Sequence, residues 1–219
     1  AWIFSLQQAH DLWHTALLAP WFVSSALVCG TALVLVVVIA LRRAGYISLE
    51  RRHLERLAKM LGAFLCVDLY FFGCDLLTEA FPGGEGAETV AMLVSGPLAP
   101  FFWVEVVGCA AAAVVCFAPA LRRNGLIVVA SLLAIAGIFC KRVQLLVGGF
   151  QIPNLDYAFQ ANAMTVTDWE GGFEAAYQGL VYWPTPLELG VALGVLGLGA
   201  LMLCLGLKLL PLGSAKRPR

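Results

Sequence analysis

Lys141 and Arg142 stand side by side in AIAGIFCKRVQLLVGGFQ (134–151), with apolar residues before and after them. Two adjacent cations in a segment apolar enough to meet lipid need partners. An unpaired charge in the hydrocarbon costs about 2.5–3.5 kcal/mol even on the mildest scale, so such groups face one another or a wet cavity. Asp68, Asp75 and Glu105 interrupt other apolar runs, and His14 stands where the first run begins. Lysine, arginine and histidine can donate hydrogen bonds to the oxygens of an acceptor ligand, and carboxylates can carry protons between that ligand and water.

The elements that must position these groups are transmembrane helices. Hydrophobic residues make up 61% of the chain and charged ones only 13%, with a mean hydropathy of +0.86. That composition belongs to an integral membrane protein rather than a soluble domain. A span needs about 20 apolar residues, and five segments qualify: Leu17 to Leu41, Leu54 to Phe81, Leu98 to Leu121, Leu126 to Gly148 and Leu187 to Leu210. The fold class is therefore all-α, with a four-helix transmembrane bundle over 1–150 and an extracytoplasmic loop over 151–183. A closing helix over 184–212 and a cytoplasmic tail over 213–219 complete it.

Charge sorts the connections. Arg42, Arg43, Arg51, Arg52, Arg56 and Lys59 lie between spans one and two, Arg122 and Arg123 between three and four, and Lys208, Lys216, Arg217 and Arg219 at the end. The alternate connections hold Glu79, Glu85, Glu88, Asp156, Asp168, Glu170 and Glu174, and no Lys or Arg. Twelve of the fourteen cations thus mark one side, which the positive-inside rule reads as cytoplasmic. The expected topology has the N-terminus outside and the C-terminus in the cytoplasm.

The remaining two cations are Lys141 and Arg142. On an outward-running fourth span they sit roughly 10 Å below the outer end, with Asp75 about 9 Å and Glu105 about 8 Å in. Asp68 shares the helical face of Asp75 nearer the membrane middle. Three helices thus bring charge to one layer in the outer half. Either Asp75 and Glu105 neutralise Lys141 and Arg142 inside a packed bundle, or the groups line a polar pocket or proton route that opens outward.

Other features narrow the chemistry. The zero net charge suggests no nucleic-acid partner. The seven cysteines lie in apolar runs without CxxC spacing, against metal, haem or iron–sulfur ligation and against a disulfide framework. His10 and His14 are one turn apart among Trp2, Trp13 and Trp21, an interfacial belt or, for His14, a pocket donor. Thr185, Pro186 and Glu188 read as a capping box that opens the fifth span, and Ser48 as an N-cap before the second. Gly190, Gly194 and Gly197 form a small-residue face for helix packing. Residues from Ala1 onward contain no basic n-region of a secretory signal.

WHTALLAPWFVSSALVCGTAL (13–33), KRVQLLVGGFQIPN (141–154) and the segment from Tyr182 to Leu212 together resemble the NrfD / polysulfide-reductase membrane-subunit family. The likeness is to the C-terminal half of a ten-helix, DsrP-like member, with Phe150 separating the Gly pair from Gln151. The resemblance implies a subunit of a prokaryotic cytoplasmic (inner) membrane complex for anaerobic respiration. Such a subunit binds menaquinone or another quinone, carries no haem or iron–sulfur cluster, and exchanges electrons with a ferredoxin-like iron–sulfur subunit beside other membrane subunits. His14, Lys141 and Arg142 then hold the quinone, and Asp68, Asp75 and Glu105 relay protons. His14 and Arg142 match family positions, whereas the other four rest on depth alone. Two alternatives stay open: a structural membrane anchor without its own quinone site, and a transporter.

Overall fold

The computed structural model describes residues 2–5, 15–81, 83, 85–96, 98–151 and 185–209. Its α-helices are α1 (Trp2–Ser5), α2 (Leu18–Arg43), α3 (Arg51–Ala80), α4 (Glu85–Ser95), α5 (Ala99–Phe117), α6 (Asn124–Gln151) and α7 (Pro186–Leu209). Among the described residues no β-strand occurs. α2, α3, α5, α6 and α7 are each long and apolar enough to cross a membrane. The chain is an all-α, multi-pass membrane protein.

Local chemistry explains the boundaries. α2 ends where Gly45 takes a left-handed φ of 79°, a conformation only glycine adopts without strain. Arg42 and Arg43 occupy the last turn of α2, where the helix dipole favours cations. α3 begins after Glu50, an extended N-cap without a side-chain capping bond, so Ser48 is not its cap. The third span stops at Phe117, not Leu121, because Ala118 precedes Pro119 and is extended (φ −74°, ψ 114°); proline disfavours helix in the residue before it. The capping box forms as expected: Thr185 N donates to Glu188 Oε2 at 2.9 Å, and Glu188 N donates to Thr185 Oγ1 at 3.4 Å.

α2, α3, α5 and α6 pack as a ring in that order, with α6 closing on α2. Toward the basic end, where α2 finishes and α3 starts, the interior is aliphatic: Leu35, Ile39, Leu54, Leu61 and Ile127 are among its fully buried side chains. Two glycines let backbones approach closely. A methyl group on Gly62 would meet Cys116 Cβ at 3.0 Å, and one on Gly137 would meet Cys109 Sγ at 2.7 Å. Toward the other end, α4 packs across α3 and α5, contributing Leu93 to an apolar group with Leu18, Trp21, Phe72 and Phe102. The α7 residues are exposed along nearly its whole length, and none is buried.

Candidate functional site

α3 and α6 sit at opposite corners of the ring, yet one bond joins them through its centre. Lys141 Nζ on α6 donates to Asp68 Oδ1 at 3.1 Å and to Oδ2 at 3.4 Å. Lys141 is 3% exposed and Asp68 1%. The same ammonium stands 3.6 Å from the centroid of the Trp21 ring on α2, so an aromatic face supplies a second attraction.

Glu105 on α5 completes the level. It is 1% exposed, and neither Oε1 nor Oε2 has a hydrogen-bond partner among the described residues. It lies within electrostatic reach of both Lys141 and Asp68. One ammonium thus faces two carboxyl groups. Trp21 Nε1, Ser24 Oγ and Gln144 Nε2 are further buried polar atoms without a hydrogen-bond partner, although Trp21 and Ser24 both flank Asp68.

This level is enclosed. One turn further from the basic end, the Phe72 ring lies 5.6 Å from Trp21 and 5.4 Å from Phe102, centroid to centroid. In the other direction Leu65, Cys109 and Ile138 begin the aliphatic interior. Among the described residues these three aromatic rings stand on the side of this level where the sequence places an outward opening. Their helices deliver them there by register: Phe72 is one turn beyond Asp68, and Phe102 nearly one turn before Glu105.

The sequence-derived residues therefore divide. Asp68, Glu105 and Lys141 share the buried level. Asp75, two turns from Asp68 on α3, is half-buried, next to Thr15 and within electrostatic reach of Lys141. Arg142 is exposed, with its guanidinium carbon 5.0 Å from the Phe22 ring centroid. Successive helical residues are about 100° apart, so the two neighbouring cations cannot both enter the ring. His10 and His14 lie outside the described residues, as does the expected loop over 151–183 apart from Gln151, which ends α6. Among the described residues no group of three or more His, Cys, Asp or Glu is placed to hold a metal ion. Sequence reasoning missed Ser24 and Gln144 and read Trp21 only as part of an interfacial belt. The available signal was i, i+3 spacing, which sets Gln144 on the Lys141 face and Ser24 on the Trp21 face.

A model of the family described as polysulphide reductase, NrfD matches residues 1–154. The chain belongs to the NrfD family. A Halobacterium salinarum protein, provisionally named as a membrane subunit of dimethyl sulfoxide reductase, is 31% identical over 218 residues, 98% of this chain and 50% of that protein. The chain thus spans about half the length of the curated relative it matches.

Does the interior of this NrfD-family chain suit a quinone, the group its resemblance implies? A quinone ring needs a flat slot with donors toward its carbonyls. At the Lys141 level the ammonium is already held by Asp68 and the Trp21 face, and the levels on both sides are packed with rings and aliphatic chains. Among the described residues this level presents packed side chains rather than a flat slot for a quinone ring. Its orphaned atoms fit something smaller: a buried water makes about three hydrogen bonds to otherwise unsatisfied polar groups, and Glu105, Ser24, Gln144 and Trp21 offer donors and acceptors of that kind.

Proposed function

We propose that this chain is the membrane subunit of an anaerobic respiratory oxidoreductase complex, exchanging electrons between a quinone pool and an extrinsic iron–sulfur subunit. In this reading the buried level formed by Asp68, Glu105 and Lys141 carries protons rather than quinone. Family membership and the relative's name support the respiratory assignment. The sidedness of the cations supports the prokaryotic cytoplasmic membrane, with the basic end inside.

The observation that carries the proton role is Glu105, a carboxyl group buried with both oxygens unpartnered beside an ion pair. One cation among two acids makes the level neutral when the acids share a single proton. Among the described residues no hydrogen bond ties the Glu105 proton to one acceptor, and Lys141 is the cation that balances the charge left when that proton departs. Asp75, half-buried and two turns along α3, is the next carboxyl group toward the acidic end. Arg142 lies on the exposed side of α6 and, of the two described residues of the implied quinone set, is the one open to a lipid-borne ligand.

Replacing Glu105 by Gln keeps the shape and removes the proton. In the complete complex reconstituted into vesicles, E105Q is expected to lower quinone-linked turnover by about 10²-fold, the lower range for a positioned proton carrier, with assembly unchanged. D75N should lower turnover less. The anchor reading has one observation in its favour, since Lys141 and Asp68 satisfy each other and would fix helix register without further chemistry. It requires E105Q to turn over at the wild-type rate, and that result would remove the proton role.

A further inference from the structure

The basic end of the ring holds two arginines that differ from an ordinary solvated fringe. Arg122 is 8% exposed, and its Nε is buried without a hydrogen-bond partner. Arg42, in the last turn of α2, has a buried Nη1 that also lacks one. Neither takes part in the Arg51–Glu55 or the Lys141–Asp68 ion pair. The adjacent Arg123 is exposed, as a cation that needs only water should be.

A third arginine shapes the place. Arg51 Nη2 donates to the Arg122 carbonyl at 3.2 Å, while its Nε pairs with Glu55 Oε1 at 2.9 Å. That bond ties the start of α3 to the turn between α5 and α6. The Arg122 carbonyl is thereby satisfied, while its buried Nε has no hydrogen-bond partner among the described residues. α2 packs on α6, so the final turn of one and the approach to the other share this end of the ring. A buried guanidinium N–H without an acceptor is costly. One such nitrogen on each of two arginines at this end of the ring calls for an acceptor with several oxygens and a negative charge, and planar guanidinium groups match phosphate oxygens in paired geometry.

The neighbouring surface says what carries the phosphate. Phe117 is 48% exposed, Leu121 38% and Leu126 36%. They lie at the end of α5, in the α5–α6 turn and in the first turn of α6, beside Arg122 in the chain. A free phosphate would use the polar part alone, whereas a diacyl lipid uses both. We propose that Arg42 and Arg122 bind the phosphodiester of an anionic phospholipid, whose acyl chains lie along the apolar flank beside them. Basic recesses at helix ends are suited to such headgroups.

The test uses the full membrane subunit in neutral detergent, with phosphatidylglycerol and phosphatidylcholine supplied in equal amounts. Native mass spectrometry counts the lipid retained by wild type, R122Q and R42Q. Wild type should hold phosphatidylglycerol in preference, and each substitution should cut that retention by about fivefold, the typical weight of one basic side chain at a lipid surface. Phosphatidylcholine retention should not change. Equal retention of the two lipids, or unchanged retention in both variants, would overturn the proposal. Competition by millimolar inorganic phosphate that displaces phosphatidylglycerol completely would overturn the lipid assignment as well. Should R122Q fail to fold, R42Q decides, because Arg42 is only half-buried.

Discussion

On α3, Leu54, Leu61 and Leu65 face the ring interior and are fully buried; one turn further the same face presents Asp68, buried just as deeply. The two halves of the bundle share helices, register and closeness of packing. They differ in what fills them. The aliphatic half has side chains that match by volume alone, so any of several combinations would close it. The charged half depends on particular partners, since Lys141 and Asp68 each become a liability when the other is absent. Stability in the first half is spread over many small contacts, and in the second it is concentrated in one bond.

The sharpest way to break the comparison is to remove that bond from one side. Lys141→Met leaves Asp68 buried and unpaired, and should cost about 3–5 kcal/mol, read as a lowered unfolding midpoint in detergent or bicelles. Adding Asp68→Leu should restore most of the loss. A single variant as stable as wild type would mean that water already reaches the pair.

A smaller effect belongs to the boundary between the halves. Gly137→Ala puts a methyl group against Cys109 Sγ and the Glu105 backbone, and overpacking of this kind costs about 1–3 kcal/mol. Because the strain falls on the segment that carries Glu105, quinone-linked turnover should fall together with the midpoint. A fall in the midpoint alone would separate packing from chemistry.

The smallest effect is expected one residue along from the largest. Arg142→Gln removes an exposed cation over an aromatic ring, worth about 0.5–1 kcal/mol. Similar losses for Lys141→Met and Arg142→Gln would erase the distinction between their two faces of α6.

Much of this was legible in advance. Span positions followed from hydropathy, and rise per residue brought Asp75, Glu105 and Lys141 to neighbouring depths, with Asp68 nearer the membrane middle. Depth arithmetic says nothing about direction around a helix or about which helices are neighbours. It therefore kept Lys141 and Arg142 together and assigned Asp75 and Glu105 to neutralise them, whereas Lys141 pairs with Asp68. The choice of Asp68 has a physical reason. Side chains on a helix tilt toward its N-terminus, and α6 runs from the basic end, so the lysine leans back toward the deeper acid. The ring order of α2, α3, α5 and α6 depends on tertiary packing, to which Gly62 and Gly137 contribute. Those glycines gave no local sign of what they would touch.

The diagonal bond between α3 and α6 also has a history in time. Asp68 and Lys141 are 73 residues apart in the chain, and synthesis proceeds at roughly 5–20 residues per second. Asp68 therefore emerges from the ribosome on the order of 4–15 s before its counterion exists. Through that interval its helix must wait at the insertion machinery, stay protonated, or borrow a temporary partner. Only when α6 arrives can the ring close, so the last helix of the bundle is also the one that commits the first three.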